Sequence, residues 1–200
     1  VTIVGVGSTD ITASQAGDAT YNAAADVVQT LTVVKGDQTI SFEALTEYTV
    51  GDPDFELTAT ASSGLVISYT SSDETVATIA GSTVTIVGAG TTDITASQAG
   101  DTNYNPAIDV VQGLTVGKAD QTITFATLED KVAGAADFDL AATASSGLTV
   151  TYTSSDPLVA TIAGATVTII GAGTTNITAS QPGDNNYNSA TDVIQSLTVL

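Results

Sequence analysis

The sequence contains no cysteine, histidine, methionine or tryptophan, and only three of its 200 residues are basic. Without cysteine the chain has no disulfide, no thiol nucleophile and no thiolate ligand for zinc. Without histidine it also lacks the usual partner of a nucleophilic serine, so a serine–histidine or cysteine–histidine pair is excluded within the chain. Secretion is not excluded, because an extracellular domain with an adequate core needs no disulfide.

The scarcity of basic residues leaves 22 acidic residues and a formal net charge of −19. Nucleic acid and anionic membrane surfaces bind clustered positive charge, so we expect neither as a partner. No apolar run approaches the ~20 residues of a membrane helix, and we expect no membrane insertion in this segment. Because only 12% of residues are charged and 42% are hydrophobic, the composition differs from that of a disordered acidic tail.

The most informative feature that is present is an internal repeat. VTIVGVGSTDITASQAGD begins at Val1, VTIVGAGTTDITASQAGD at Val84 and VTIIGAGTTNITASQPGD at Val167, so the start positions differ by 83 residues. KGDQTISF at Lys35 and KADQTITF at Lys118 have the same spacing. No insertion or deletion interrupts the period, which indicates tandem copies of one structural unit.

The period divides the chain into three parts. Residues 1–34 form a leading segment, the C-terminal part of a truncated repeat, and 35–117 and 118–200 are the first and second full repeats. A period of 83 residues exceeds the roughly 20–50 of a solenoid coil and suits a self-contained β-sandwich. Neither joint contains a Pro/Ser-rich linker, which favours a semi-rigid rod.

Alternating apolar residues and regularly spaced turn residues predict about seven short strands per repeat and no helix. In the first repeat we place them at 38–42, 55–61, 66–70, 76–79, 84–87, 92–98 and 110–116. The core should contain the following residues and their counterparts 83 positions later: Phe42, Phe55, Leu57, Tyr69, Val76, Ile79, Val84, Ile86, Ile94 and Leu114.

The stretch YTSSDETVATIAGSTVTIVGAGTTDITA, residues 69–96, resembles the group 2 bacterial immunoglobulin-like domains. The segment ASQAGD-x-x-YN, followed by a late LTV strand, is similar to the version in very large surface adhesins of Bacteroidota, including gliding-motility adhesins. The resemblance covers both full repeats and the leading segment. It implies an all-β fold of tandem immunoglobulin-like β-sandwich repeats. Tyr69 and Tyr152 stand where these domains commonly have tryptophan.

Tyr21, Tyr104 and Tyr187 precede the last strand of each copy. One interpretation makes each a packing anchor whose hydroxyl bonds loop backbone, like the corner tyrosine of immunoglobulin sandwiches. The other makes it a ligand-stacking aromatic. The anchor is favoured, because function usually depends on particular sites and not on repeated core positions.

Calcium is the one cofactor that the sequence leaves open. Asp18, Asp101 and Asp184 each lie in a Gly-Asp turn and are the candidate ligands. Calcium takes 6–8 oxygen ligands, yet no EF-hand pattern and no dense acidic run is present. The alternative is that these aspartates are turn-forming residues, in which case the chain has no metal site and no cofactor.

No catalytic residues can be assigned, and we expect that the chain is not an enzyme. The composition and repeats predict structural spacer or stalk repeats of a large secreted or cell-surface protein, and the resemblance implies that this protein is an adhesin. These would form an extended extracellular filament that presents a distal binding region. Its partners would be neighbouring repeats of the same chain and, through other regions, a surface or glycan ligand. The alternative is a glycan- or surface-binding module carried by the repeats, which repeated exposed aromatic residues would favour.

Overall fold

The computed structural model describes residues 1–200 and contains only β-strands, turns and loops. The leading segment is an antiparallel hairpin of β1 (Gly7–Ala13) and β2 (Val27–Val33). Because the structure contains strands and no helix, the all-β prediction is confirmed. No helix with the length and hydropathy needed to cross a membrane is present.

One layer of the first repeat is a four-stranded sheet. Its central pair is β10 (Gly90–Ser97) and β11 (Val110–Gly117), which run antiparallel. At one edge β7 (Ser68–Ser71) pairs antiparallel with β10, and at the other β4 (Tyr48–Thr49) pairs parallel with β11. The parallel edge strand β4 is absent from the sequence prediction, because two residues are too few to show alternation.

The facing layer consists of shorter strands. β5 (Phe55–Glu56), β9 (Thr83–Ile86) and β8 (Ala77–Ala80) form one sheet, and β3 (Ile40–Ser41) pairs with β6 (Thr60–Ala61). The predicted single strand over 55–61 is wrong, because its two ends pair with different strands. Alternation along 55–61 continues across this change of partner, so periodicity alone did not reveal it.

The second repeat has the same strand order with one difference. Its strands are β12 (Ile123–Thr124), β13 (Phe138–Asp139), β14 (Thr143–Ala144), β15 (Thr151–Ser154), β16 (Ala160–Ala163), β17 (Thr166–Ile169), β18 (Gly173–Ser180) and β19 (Val193–Val199). They form sheets with the orders β15-β18-β19, β13-β17-β16 and β12-β14. In place of β4 there is a single parallel bridge between Lys131 and Val199.

Two separate hydrophobic clusters lie between the layers. All ten predicted core residues of the first repeat belong to its cluster or pack against it, and the ten counterparts do the same in the second. Val84, Ile94 and Leu114 are fully buried. The predicted core is confirmed, and each cluster draws its side chains from one repeat. The unit boundaries themselves stay a prediction.

The leading segment leaves part of its apolar face uncovered. Ile11 is 39% exposed, whereas its counterpart Ile94 is 0% exposed beneath the second layer of the first repeat. Val28 does not belong to that face, because its counterpart Val111 lies on the outside of the sheet and is 51% exposed. Two adjacent valines precede the alternating part of this strand, so its register could not be read from them.

Each core also contains a buried threonine that holds a turn. The Thr92 hydroxyl oxygen accepts a hydrogen bond from the Asp73 amide at 2.9 Å and lies 2.9 and 3.2 Å from the hydroxyls of Ser71 and Ser72. Thr175 has the same contacts with the matching Ser-Ser-Asp turn of the second repeat. A buried side chain thus fixes the turn between the two layers.

Candidate functional site: the Gly-Asp loop and the joint

The Gly-Asp loop precedes the last strand of every copy and depends on a glycine. Gly100 has a φ of +74°, and a Cβ added there would lie 2.4 Å from the Tyr104 carbonyl oxygen. Gly183 has a φ of +79°, and an added Cβ would lie 2.2 Å from the Tyr187 carbonyl oxygen. Only glycine combines this backbone conformation with so close an approach.

The three calcium candidates bind their own loops. The Asp101 carboxylate accepts hydrogen bonds from the amides of Asn103 and Tyr104 at 2.8 and 2.9 Å. Asp18 and Asp184 do the same two and three residues downstream. The hydrogen bonds from the Thr20 and Tyr21 amides lower the pKa of Asp18. These are the contacts of an Asx turn, which shapes a loop without any ligand.

No metal-binding cluster surrounds these carboxylates. The structure has no group of three or more acidic side chains placed to hold a metal ion. In the two full repeats a lysine ammonium lies at the loop: Lys35 donates to the Asp101 carbonyl oxygen at 2.6 Å, and Lys118 donates to the Asp184 carbonyl oxygen at 2.5 Å. An ammonium on these carbonyls opposes a second cation there by charge repulsion. The calcium assignment of Asp18, Asp101 and Asp184 stays a prediction.

A buried glutamine network, which the sequence reasoning missed, attaches the loop to the sandwich. The side-chain nitrogen of Gln38 donates to the Gln98 side-chain oxygen at 2.9 Å and to the Asn105 carbonyl oxygen at 2.7 Å. The side-chain oxygen of Gln38 accepts from the Ser63 hydroxyl at 2.5 Å. Gln121 makes the matching three bonds in the second repeat. The available signal was glutamine at the same place in DQTI and ASQ-x-GD of both repeats.

The loop tyrosines pack against the start of the repeat. Tyr104 and Tyr187 are half-buried and form parallel bridges with Gly36 and Ala119. Their hydroxyls make no hydrogen bond within the chain, so the corner-tyrosine role that we predicted for them is only half right. They anchor the loop through the packing of their rings and through their backbone bridges. Tyr21 has no start of a repeat beside it and is 73% exposed.

The hydroxyl role belongs to another pair of tyrosines. The Tyr69 hydroxyl accepts from the Ala59 amide at 2.9 Å, and the Tyr152 hydroxyl accepts from the Ala142 amide at 2.8 Å. Burial raises the pKa of Tyr69. These are the residues at the tryptophan position of the resembling domains, and each connects the two layers.

The joint between the full repeats contains a direct contact. The Ala119 amide donates to the Asn186 carbonyl oxygen at 2.9 Å within the second repeat. The Asn186 side-chain oxygen accepts from the Ala89 amide of the first repeat at 3.0 Å. Gly117 and Lys118 are adjacent in the chain, so no linker separates the last strand of one repeat from the start of the next.

Two clefts lie beside the leading segment. One of about 350 Å³ is lined by residues 1–9 together with Leu31 and Val33, and it borders the uncovered side of the leading segment. Another of about 330 Å³ lies at the first joint, between Val4 and Tyr104. Their linings offer backbone and apolar groups with a few hydroxyl and amide side chains, and no paired carboxylates.

Comparisons with known proteins were made by family, by sequence and by structure. No protein-family model matches the chain, and no curated protein matches it. Among solved structures it is similar to a mouse protocadherin-24 EC1-3 fragment, at 16% identity and a TM-score of 0.36, over 96% of this chain and 80% of that one. It is also similar to domains 1–6 of the surface layer protein SbsC, at 15% identity and a TM-score of 0.34, over 98% of this chain and 35% of that one.

A third similar structure is a C-terminal fragment of intimin bound to the intimin-binding domain of the translocated intimin receptor. Here the identity is 17% and the TM-score 0.29, over 66% of this chain and 51% of that one. Likenesses this weak say nothing about what the present chain binds or does.

Proposed function

We propose that this chain is a stretch of non-catalytic spacer repeats in a large extracellular or cell-surface adhesin. The observation that carries the proposal is a pair of repeats, each with its own core, joined without a linker. Stacked repeats of this kind form an extended filament whose length grows with their number. The filament would hold a distal binding region away from the cell, and that region would contact a surface or glycan ligand.

The charge distribution supports the filament. The first repeat has eleven acidic residues against one lysine, a net charge of −10, and the second has eight against two, a net charge of −6. Like charge on neighbouring filaments opposes lateral association over a Debye length of about 8–10 Å. The surface therefore suits a filament that stays separate from its neighbours.

The host class follows from the sequence resemblance alone. The Ser-Ser-Asp turn and the ASQ-x-GD-x-x-YN segment resemble repeats in Bacteroidota surface adhesins, including those of gliding motility. We accordingly propose an adhesin of that type, secreted to the cell surface. A search of the full-length gene product for further 83-residue repeats and a distal domain tests this assignment.

The positions of the aromatic side chains do not support glycan binding by the repeats themselves. Tyr48 is half-buried and stacks on Phe55 with ring centroids 4.0 Å apart. Its counterpart is Lys131, whose ammonium lies 4.8 Å from the ring centre of Phe138. The side-chain amide of the exposed Asn105 donates a hydrogen bond to the Asp37 carboxylate at 2.8 Å, within the same repeat.

Small-angle scattering of the full chain tests the spacer. Eight-residue strands at about 3.3 Å per residue, with loops, give roughly 30–40 Å per repeat, so the maximum dimension should exceed roughly 60–80 Å. A maximum dimension near that of one repeat would contradict the filament. Reproducible binding on a glycan array, abolished by Tyr48→Ala or Asn105→Ala, would contradict the spacer function and favour a glycan-binding module.

A further inference from the structure

We infer that Asn186 docks the second repeat onto the Val87–Gly90 turn of the first and that this contact fixes the angle between the repeats. The inference rests on the proposed spacer function and deepens it, since it names the surface that one repeat offers to the next. The partner that fits this surface is another copy of the same repeat.

Asn186 can fix the orientation of one repeat relative to the other because both its main chain and its side chain are hydrogen-bonded. Its main chain is bound to the second repeat through the Ala119 amide and the Asp184 carboxylate. Its side-chain oxygen accepts from the Ala89 amide in the first repeat. One residue therefore connects the rigid Gly-Asp loop of one repeat with a turn of the other.

Burial of the turn shows where the second repeat sits. Gly88 is buried and Ala89 half-buried, and both lie beneath the Asn186 loop. Their counterparts Gly171 and Ala172 have the same sequence and the same strand pairing, with no repeat against them, and are half-buried and exposed. The difference belongs to the docked partner, not to the turn.

Gly88 allows this close approach. A Cβ added there would lie 2.9 Å from the Thr75 carbonyl oxygen and 3.1 Å from the Asn186 side-chain oxygen. At Gly171 an added Cβ would lie 3.0 Å from the Leu158 carbonyl oxygen and would touch no other repeat. Alanine therefore strains both turns alike, but it disturbs a joint only at Gly88.

The first joint has the same parts in a looser arrangement. Asn103 is the counterpart of Asn186, and its side-chain oxygen lies 3.8 Å from the Cβ position of Gly5, the counterpart of Gly88. Asn103 is exposed and its side chain makes no hydrogen bond, beside a leading segment that has only one hairpin of the sandwich. Asn103 thus provides a matched control within the same molecule.

The test measures the distance distribution between nitroxide labels across the second joint of the full chain. Asp54→Cys and Asp137→Cys place them at equivalent exposed positions, and the chain has no other cysteine. We expect a narrow distribution in the parent. Asn186→Ala should raise the ratio of undocked to docked joints about fivefold, the factor that one net hydrogen bond supplies. Gly88→Ala should broaden the distribution as well.

Three variants should leave the distribution narrow. Asn186→Asp retains the oxygen that accepts from Ala89, Asn103→Ala removes the same side chain at the other joint, and Gly171→Ala strains a turn that faces no repeat. Equal broadening by Asn186→Ala and Asn103→Ala would overturn the inference, and so would broadening by Asn186→Asp that matches Asn186→Ala.

The inference and the spacer function fail in distinguishable ways. A long mean distance that does not respond to Asn186→Ala would refute the docking contact and leave the spacer standing. A short mean distance in the parent would show that the repeats fold back on each other and would refute both.

Discussion

The buried hydroxyl of Thr92 allows a prediction that can be worked through from its contacts. Thr92 is 4% exposed, and its hydroxyl is hydrogen-bonded to the Asp73 amide and to two serine hydroxyls. Thr92→Val keeps the shape of the side chain, so it opens no cavity and removes only the hydroxyl. The variant loses one net hydrogen bond and leaves the Asp73 amide without its partner inside the turn.

The expected cost is about 1–2 kcal/mol of unfolding free energy for the first repeat. It stays at the lower end of the range for unpaired groups because Asp73 lies at an exposed turn, where water reaches part of the amide. A loss of this size lowers the ratio of folded to unfolded molecules by a factor of about 5–30. Amides in β10 and β11 should therefore exchange with deuterium faster by that factor.

Hydrogen-exchange mass spectrometry on the full chain can separate the repeats. Thr92→Val should accelerate exchange in 35–117 and leave 118–200 nearly unchanged, and Thr175→Val should do the reverse. Thr92→Ser keeps the hydroxyl and should restore most of the protection. Thr9, the counterpart in the leading segment, is exposed and makes no such contacts, so Thr9→Val should have no effect. Equal effects of Thr9→Val and Thr92→Val would refute the reasoning.

Three further predictions follow from the loops and carboxylates. Gly100→Ala and Gly64→Ala both place alanine at a positive φ, +74° and +77°, but only Gly100 lacks room for a Cβ. Denaturant unfolding should show that Gly64→Ala lowers the unfolding free energy by about 1–2 kcal/mol and that Gly100→Ala lowers it by clearly more. Hydrogen bonds from the Ser82 and Thr83 hydroxyls lower the pKa of Glu56 from 4.5, and those from the Thr75 hydroxyl and amide lower the pKa of Asp73 from 3.8. The two ionised carboxylates thus stabilise the folded chain at pH values above their ordinary pKa, and this stabilisation is lost as the pH falls through their lower pKa values in the folded chain. Between about pH 5 and pH 2 the thermal midpoint of the parent should therefore fall more than that of Glu56→Gln. Calcium at roughly 1 mM should not change the midpoint relative to sodium chloride of equal ionic strength, and a rise that Asp101→Asn abolishes would establish a calcium site.

The sequence predicted the sandwich and its core well because both depend on local alternation and on a period that repeats without a gap. Phe42, Val84 and Leu114 are apolar residues in strands bounded by turns, and their burial follows from that pattern. The division of 55–61 between two partners could not be predicted in this way. Which strand each end meets is set by packing between the layers, and packing leaves no periodic signal in a seven-residue stretch.

The loop contacts were harder to predict because they join residues far apart in the chain. Lys35 meets the Asp101 carbonyl oxygen 66 residues away, and Ala89 meets Asn186 97 residues away. Repetition marks such residues as constrained without saying which of them touch. The Asp18, Asp101 and Asp184 positions illustrate this limit, since a Gly-Asp turn has the same sequence whether its carboxylate serves amides or a cation.

The differences between the two full repeats favour a structural role over a repeated binding site. The buried glutamine and threonine contacts occur in both repeats, whereas exposed positions change character, as Val66 becomes Thr149 and Ile108 becomes Thr191. Tyr48 stacked on Phe55 becomes Lys131 above Phe138, which keeps a ring covered while it changes the chemistry offered to a ligand. A site that bound the same glycan in every repeat would need the same surface groups in every repeat. What these repeats share instead is the interior, the Gly-Asp loop and the Gly-Ala-Gly turn, which are the parts needed to fold and to stack.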